Sequence, residues 1–215
     1  MTINTTGYDE LLTIHERKTQ IEAIKDWLWI KEDTGVWNGV KHDWPDHEAK
    51  IRQWVKKFDC VVQAGGNLGV YPYLLTEMFS RIYTFEPDPL NFFCLVNNTQ
   101  CDNIVKIQAA LGAEHVMVSV NRNLDWNVGM HTVKFDQEGL IPQLMVDDLN
   151  LKECDLIWFD IEGYEHQALM GARQTIIKHK PIVMIERGDS ICSNFLSEFG
   201  YREVDKSLSD TIYST

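Results

Sequence analysis

A glycine-rich turn follows a short apolar run in this chain of 215 residues. The segment reads Val61-Val62-Gln63-Ala64-Gly65-Gly66-Asn67-Leu68-Gly69. Glu86 stands at the end of the next apolar run, about 20 residues further on, where a carboxylate can accept hydrogen bonds from both hydroxyls of a ribose. This spacing is typical of a nucleotide-cofactor site, and it leaves open which nucleotide binds.

Acidic residues also follow the apolar run at residues 156–159, namely Asp160, Glu162 and Glu165. Open α/β sheets bind ligands beyond the carboxyl ends of their strands, near the point where the strand order reverses. Asp160 and Glu162 are therefore expected to face the reactive end of the cofactor. The alternative is that these acids cap the helix expected from residue 164, whose dipole favours negative charge at its start.

The elements that would position these groups alternate from residue 59 onward, as in a parallel sheet wrapped by helices. Strands are predicted at 60–63, 82–85, 104–108, 156–160 and 181–185, and helices at 70–79, 89–98, 164–178 and 191–198. Two short runs, 201–204 and 211–213, suit an antiparallel pair at the sheet edge. Further strands are expected at 115–120 and 131–135, around a loop that is a candidate for substrate contact because loops commonly carry function.

Residues 1–57 are predicted to form a separate helical cap in front of a domain at 58–215. Apolar residues at helical spacing predict a helix over 8–30, and Pro45 is well placed to open a second one after a loop at 31–44. Trp37 and Trp44 lie in this loop and make it a candidate lid over the substrate.

Composition excludes several classes of partner. The net charge of -12 disfavours nucleic acid, which attracts clusters of lysine and arginine. No apolar run is long enough for a membrane span, and the acidic, polar start does not resemble a signal peptide, so a cytoplasmic protein is expected. The five cysteines lack metal-ligand spacing and are expected to be reduced thiols, and no metal site is predicted.

The chain resembles the FkbM-type family of S-adenosylmethionine-dependent methyltransferases. The resemblance spans residues 58–187 and rests on three blocks occurring in order. They are Gly65 to Gly69 with Tyr71; Phe85-Glu86-Pro87-Asp88-Pro89 with Leu95 and Asn98; and Asp160 to Glu165 with Leu169, Gly171 and Ala172, ending in Pro181 to Glu186. It implies an α/β fold, the three-layer Rossmann-like class I methyltransferase sheet, mostly parallel with its last strand antiparallel.

The resemblance also implies which residues bind S-adenosyl-L-methionine. The turn would hold the methionine portion, Glu86 the ribose, and residues near Ala109 and Ala110 the adenine. The cofactor-binding set is therefore Gln63, Gly65, Gly66, Asn67, Gly69, Glu86, Pro87, Ala109, Ala110 and Asp160. Two positions depart from the family, which usually has aspartate at Gln63 and lysine at Trp158. On this carried-over geometry, Gln63→Asp is expected to bind the cofactor equally well or more tightly.

The expected reaction is methyl transfer to a hydroxyl oxygen of a small-molecule or carbohydrate acceptor. A base assists when the acceptor must lose a proton, and it must lie within about 3 Å of that proton. Asp160 is the first candidate, with Glu162 and His131 as alternatives. Two other functions stay open at this point: an NAD-dependent oxidoreductase, which shares the turn and the ribose acid, and a catalytically impaired module that binds the cofactor.

Overall fold

The computed structural model describes residues 12–14, 26–31, 33–122 and 127–215. Its strands are β1 (Leu12–Ile14), β2 (Leu28–Ile30), β3 (Cys60–Ala64), β4 (Arg81–Phe85), β5 (Ile104–Ile107), β6 (Ala110–Leu111), β7 (Met117–Asn121), β8 (Thr132–Phe135), β9 (Ile141–Leu144), β10 (Leu156–Phe159), β11 (Ile182–Glu186), β12 (Arg202–Ser207) and β13 (Asp210–Ser214). Its α-helices are α1 (Gly35–Trp54), α2 (Val70–Leu75), α3 (Pro89–Asn98), α4 (Glu165–Met170), α5 (Arg173–His179) and α6 (Ser190–Ser197).

A seven-stranded sheet forms the centre of the fold, in the order β12-β13-β11-β10-β3-β4-β5. Strands β3, β4, β5, β10 and β11 pair in parallel, whereas β13 pairs antiparallel with both of its neighbours. The central strands β3 and β10 are buried along their whole length, as expected for a sheet covered on both faces. The predicted Rossmann-like sheet with an antiparallel last strand is therefore confirmed.

The strand order reverses between β3 and β10, which are adjacent although β4 and β5 lie between them in the chain. In open α/β sheets, ligand-binding crevices form at this kind of reversal, at the carboxyl ends of the strands. The glycine turn leaves β3 there, Glu86 follows β4, and Asp160 follows β10. The groups singled out in the sequence thus reach one edge of the sheet.

A smaller sheet of four strands, β6-β9-β7-β8, flanks the central one. Strands β7 and β8 match the runs expected at 115–120 and 131–135. A 3-10 turn at Val128–Met130 leads into β8. The tip of the loop expected to contact the substrate, residues 123–126, lies outside the described residues.

The helix expected at 164–178 is interrupted, so that α4 and α5 are separate. A side chain at Gly171 would collide with the backbone oxygen of Gly112, so a residue without Cβ is needed there. The Asp147 carboxylate then accepts hydrogen bonds from the backbone N–H groups of Gln174 and Thr175, both at 2.8 Å. This contact caps α5 as a new helix, because the first N–H groups of a helix need outside acceptors.

The expectation of a helix over residues 8–30 is wrong where the structure describes that segment. Strands β1 and β2 form an antiparallel pair instead, with Leu12 opposite Ile30. The side chain of Asn98 holds β2 in place, because its amide accepts from Leu28 N at 2.8 Å and donates to Leu28 O at 3.0 Å. A helical cap is therefore not found in this part of the chain.

The loop expected at residues 31–44 is also wrong, because α1 begins at Gly35 and contains Pro45 in its interior. Proline removes one backbone hydrogen bond from a helix, at a cost that packing must offset. Ile51 is buried, and the Lys50 ammonium and the Trp54 indole both donate to the Asp205 carboxylate at 3.0 Å. These contacts hold the helix against strand β12.

The cysteines are unpaired, and four of the five are buried. Among the described residues, no helix is both long and apolar enough to cross a membrane.

Candidate functional site

The turn after β3 brings two strands into close contact. Gly65 has a φ of +87°, and a Cβ at this position would collide with the backbone oxygen of Asp160. Its N–H and that of Gly66 donate to Phe85 O at 3.1 and 2.9 Å. Glycine is therefore required at position 65 for two reasons. It adopts this conformation without strain, and no side chain fits between the turn and Asp160.

Glu86 lies at the end of β4 and is buried. One of its carboxylate oxygens accepts from Asn67 N at 2.7 Å and the other from Asp88 N at 2.8 Å. Burial raises the pKa of Glu86 to about 8, despite these two bonds. The carboxylate therefore connects the glycine turn to the start of α3, and each oxygen keeps a lone pair for a ligand.

A pocket opens between the turn, Glu86 and the small sheet. It is lined by Gly65, Asn67, Tyr71, Glu86, Pro87, Asn91, Val120, Val128, Gly129, His131, Val133, Asp160 and Ile161. An apolar slot adjoins it and shares Pro87, Val133 and Ile161. The other residues of the slot are Ala64, Phe85, Ala109, Ala110, Leu111 and Tyr164.

The structure brings most of the expected cofactor set together at these two cavities. Gly65, Asn67, Glu86, Pro87 and Asp160 line the pocket, and Ala109 and Ala110 line the slot. Three members do not line either cavity: Gln63, Gly66 and Gly69. Gly69 has a φ of +99° and stands at the start of α2. A side chain at Gly66 would contact Leu95 and Thr84. Both glycines therefore determine the backbone path of the turn and do not contact the pocket.

Asp160 belongs to a cluster of acids at the ends of β10 and β11. Burial raises the pKa of Asp160 well above its usual range, and the nearby carboxylates of Glu186 and Asp210 raise it further. Oxygen atoms of Asp160, Glu162 and Glu186 all lie within 4.8 Å of one another. Such a group can share a proton or hold a metal ion. The expectation of no metal site is not tested by this geometry.

Glu162 and Glu165 have different surroundings. Glu162 lines a neighbouring polar cavity with Glu186 and Arg187, and its carboxylate lies 3.4 Å from the Arg187 guanidinium. Glu165 accepts from the N–H groups of Ile161 and Gly163, both at 3.1 Å. The Glu165 carboxylate therefore fixes the loop at residues 161–163 that precedes α4, and it does not cap the helix, which has no side-chain cap hydrogen bond.

His131 lines the pocket, as do Val128 and Gly129 in the turn just before it. Its Nδ1 lies 3.4 Å from Oδ2 of Asp88. The same carboxylate accepts from the Arg122 guanidinium at 2.6 and 3.0 Å. The sequence interpretation missed Asp88, Asn91 and Arg122 as site residues, although Asp88 lies only two residues after Glu86.

Comparison with known proteins identifies the family. Residues 63–204 match the model of the methyltransferase FkbM domain, which is most of the chain. This chain belongs to the FkbM methyltransferase family. The assignment agrees with the resemblance inferred from the three sequence blocks.

Two solved structures share the fold of this FkbM-family chain. Methyltransferase FkbM from Methylobacillus flagellatus KT has a TM-score of 0.53 and 22% identity, over 74% of this chain and 44% of that one. A ribosomal protein L11 methylase from Lactobacillus delbrueckii subsp. bulgaricus has a TM-score of 0.50 and 9% identity, over 82% and 80%. The chain thus spans less than half the length of the first. No curated protein sequence matches it.

Gln63, where the FkbM family usually has aspartate, is fully buried in this chain. Its amide donates to Ala64 O at 3.1 Å and Gly65 O at 2.9 Å, and its carbonyl accepts from the Thr84 hydroxyl at 2.6 Å. All of its polar atoms are therefore used within the protein. The amide is hydrogen-bonded to the backbone of the glycine turn and does not line the cofactor pocket.

We expect Gln63→Asp to destabilise the protein, because aspartate cannot donate to the two carbonyl groups and would bury a charge. The loss should be about 2–4 kcal/mol, the range for a buried polar group left without its partners. Chemical denaturation at pH 7 measures it. Gln63→Met removes the same hydrogen bonds without adding a charge and should lose less; equal stability of all three proteins would contradict this account.

Trp158, where the family usually has lysine, is also directed into the protein. Its indole N–H donates to Oδ2 of Asp210 at 2.8 Å, and its ring packs against Tyr71 and His47 at centroid distances of 4.8 and 5.1 Å. The indole thus supplies a neutral donor to a buried acid. Burial, opposed by this hydrogen bond and assisted by Glu186, raises the pKa of Asp210 to about 7.

The segment before α1 is hydrogen-bonded to a part of the chain that lines the pocket. Asp33 is buried, and its carboxylate accepts from the Trp29 indole at 2.9 Å and from Val128 N at 3.2 Å. Val128 and Gly129 line the pocket, so the front segment is hydrogen-bonded directly to the pocket wall. Trp44 is half-buried and packs against Tyr71, whereas the side chain of Trp37 lies outside the described residues. The lid assignment stays a prediction.

Proposed function

We propose that this FkbM-family protein transfers a methyl group from S-adenosyl-L-methionine to a hydroxyl oxygen of a small-molecule or carbohydrate acceptor. The observation that carries the proposal is the position of Glu86. Its carboxylate lies in the pocket at the point where the strand order reverses, between the glycine turn and an apolar slot. This is the arrangement that binds the ribose of a nucleotide cofactor.

The residues present fit the three parts of this cofactor. The Ala109, Ala110 and Leu111 slot offers apolar contact to a flat base. Glu86 retains lone pairs for ribose hydroxyls. Asp160, at the other end of the pocket, offers a negative partner to a cationic group.

The cofactor supplies an activated methyl group, so the protein's tasks are alignment of the acceptor, exclusion of water and removal of a proton. Asp160 is proposed as the group that accepts the hydroxyl proton, with Glu162 and His131 as alternatives. Burial and the neighbouring Glu186 carboxylate raise the pKa of Asp160, which makes its ionised form a stronger proton acceptor. The five unpaired thiols suit a reducing compartment, and a cytoplasmic location is proposed on that basis.

Calorimetric titration with S-adenosylmethionine, S-adenosylhomocysteine and NAD tests the cofactor. Micromolar binding of the first two and none of NAD is expected. Binding of NAD alone would overturn the proposal in favour of an oxidoreductase. If S-adenosylmethionine binds but a panel of sugars and other hydroxyl compounds is never methylated, the impaired cofactor-binding module gains support.

The charge of the cofactor offers a sharper test of Asp160. S-adenosylmethionine carries a sulfonium cation and S-adenosylhomocysteine does not, so an acidic wall should favour the former. We expect Asp160→Asn to weaken S-adenosylmethionine about tenfold more than S-adenosylhomocysteine, a difference of about 1.4 kcal/mol. Asp155→Asn is the matched control, because Asp155 lies at the opposite end of the same strand, where its carboxylate accepts from Asp59 N and Cys60 N. Equal losses for both ligands in Asp160→Asn would exclude a charge contact.

A further inference from the structure

The small sheet has an open edge at strand β8. In the order β6-β9-β7-β8, strand β7 pairs with one side of β8, and within the described ranges no strand pairs with the other side. Phe135, the last residue of β8, is 56% exposed. An exposed edge strand offers unpaired N–H and C=O groups to any further strand, and proteins commonly block such edges.

Strand β8 has few of the features that block an edge. On strand β12, an edge of the central sheet, the register with β13 shifts between Glu203 and Asp205, and the Asp205 carboxylate accepts from the Lys50 ammonium of α1. Strand β8 keeps one register with β7 along its whole length and contains no proline. Its one charged residue, Lys134, is exposed. The edge of β8 is therefore regular and suited to pairing with another strand.

The pairing with β7 shows which backbone groups of β8 face outward. Just beyond the end of β8, Asp136 N donates to Met117 O of β7 at 3.3 Å. Alternate residues of a strand direct their N–H and C=O groups to opposite sides, so Lys134, like Asp136, is directed towards β7. The N–H and C=O groups of Val133 and Phe135 therefore point to the open edge.

Charge selects among the ways in which two copies of β8 can pair. A two-fold antiparallel pairing must place outward residues opposite outward residues. Val133 opposite Phe135 would put the two Lys134 side chains face to face, and like charges directly opposite destabilise a sheet. Val133 opposite Val133 forms no pair of opposite charges. Phe135 opposite Phe135 places Lys134 of each copy opposite Asp136 of the other, so both lysines gain an acidic partner.

We propose that this edge is a dimer interface, in which β8 pairs with β8 of a second copy of this chain and places Phe135 opposite Phe135 and Lys134 opposite Asp136. The small sheets of the two copies then form one continuous sheet. Phe135 also lines an apolar groove with Met117 and Leu144, so the Phe135 ring of the second copy lies beside this groove and extends it. The inference is independent of the proposed function.

The interface adjoins the candidate functional site. Val133, whose N–H and C=O groups point to the open edge, lines both the pocket and the apolar slot. Pairing of two copies therefore fixes the strand that forms this wall of both cavities.

Sedimentation equilibrium of the whole chain, at about 0.15 M salt to screen its net charge of -12, measures the dimerisation constant. The native chain should show a reversible monomer–dimer equilibrium. Lys134→Glu and Asp136→Lys should each weaken it about tenfold or more, because two attractive cross-strand pairs become repulsive in each dimer. Lys152→Glu is the control. It makes the same charge change on an exposed residue outside the small sheet, and it should associate like the native chain.

An equimolar mixture of Lys134→Glu and Asp136→Lys provides a rescue. In a mixed dimer, the introduced glutamate faces the introduced lysine, and the unchanged Lys134 faces the unchanged Asp136. The mixture should therefore form a heterodimer about as strong as the native dimer, although each variant alone associates weakly. Recovery also shows that both variants are folded, because a distorted strand would not regain the pairing.

Cysteine cross-linking tests the register separately. Residues directly opposite in an antiparallel pair have Cα atoms about 4.5–5.5 Å apart, within the range of a disulfide. With oxidised glutathione as the oxidant, Phe135→Cys should give a covalent dimer on a non-reducing gel. Lys134→Cys should not, because Asp136 stands opposite it. The native chain, in which four of the five cysteines are buried, gives the background.

Four results would overturn the inference. A native chain that stays monomeric up to about 1 mM lacks this interface, and the edge is then left to a strand of another protein. A native dimer that neither charge variant weakens forms through a different surface. A mixture that stays monomeric excludes the charge pairing. Cross-linking of Lys134→Cys in place of Phe135→Cys puts the two lysines face to face. None of these experiments measures cofactor binding, so the methyltransferase proposal is tested separately.

Discussion

Glu86→Gln is expected to weaken the binding of S-adenosylhomocysteine by about a hundredfold. The carboxylate of Glu86 accepts two backbone N–H groups, from Asn67 and Asp88, and keeps further lone pairs towards the pocket. Glutamine has one acceptor oxygen, and its amide would face a backbone donor with another donor. Loss of about two hydrogen bonds between this side chain and the ribose, each about 1.5 kcal/mol, corresponds to a hundredfold weaker binding.

Calorimetry at pH 9, above the raised pKa of Glu86, measures the affinity of the protein with this carboxylate ionised, and a melting curve reports how much the turn itself is weakened. Glu77→Gln is a suitable control, because Glu77 is exposed and does not line the pocket. An affinity within threefold of the native value would mean that the ribose is bound elsewhere, and the assignment of the pocket would have to be abandoned.

Asp210→Asn is expected to stabilise the protein at high pH. Because the pKa of Asp210 is raised to about 7 by burial in the folded state, folding favours its protonated form. The acid therefore costs no stability below its unfolded pKa of about 3.8, and the cost grows as the pH rises through the folded pKa. Asparagine accepts from the Trp158 indole without ionising. The gain should be on the order of 3 kcal/mol at pH 8 and below about 1 kcal/mol at pH 4.

Denaturant unfolding at these two pH values measures the difference. Asp205→Asn is the matched control, since Asp205 also accepts from an indole, that of Trp54, but with the opposite shift. Hydrogen bonds from Trp54 and Lys50 lower the pKa of Asp205 to about 2, so its ionised form supports folding at neutral pH. The control should therefore lose stability at pH 8. A pH-independent effect of Asp210→Asn would refute the titration account.

The parts of the site that sequence patterns predicted are local in the chain. The turn at Gly65, the acid at Glu86 and the acid at Asp160 each follow a buried strand, and the topology of a parallel sheet brings strand ends together. The contacts of Asp88 and Asn91 could not be predicted in this way. Asn91 contacts Val128 and Asp88 contacts Arg122, and both contacts join residues more than thirty positions apart.

The front segment shows why local periodicity misled there. Apolar residues at helical spacing suggested a helix, yet Leu28 at the start of β2 is held by backbone pairing with Ile14 and by the amide of Asn98. Neither partner is visible in the local pattern. The prediction for α1 was wrong in the opposite direction, because it made the helix too short. Pro45 suggested a helix start, whereas tertiary contacts with Asp205 stabilise a longer helix that contains this proline. Tertiary packing routinely overrides local propensity in this manner.

The buried carboxylate of Asp33 has a thermodynamic consequence for the whole front segment. The carboxylate accepts hydrogen bonds from Trp29, which precedes α1, and from Val128, which lines the pocket. It therefore joins the front segment to the pocket wall. A ligand that stabilises Val128 in its present position stabilises the hydrogen bond to Asp33, and that hydrogen bond must strengthen ligand binding by the same free energy, because linkage is reciprocal. Amide hydrogens around Trp29 should therefore exchange more slowly when the pocket is filled, at a distance from any atom of the ligand.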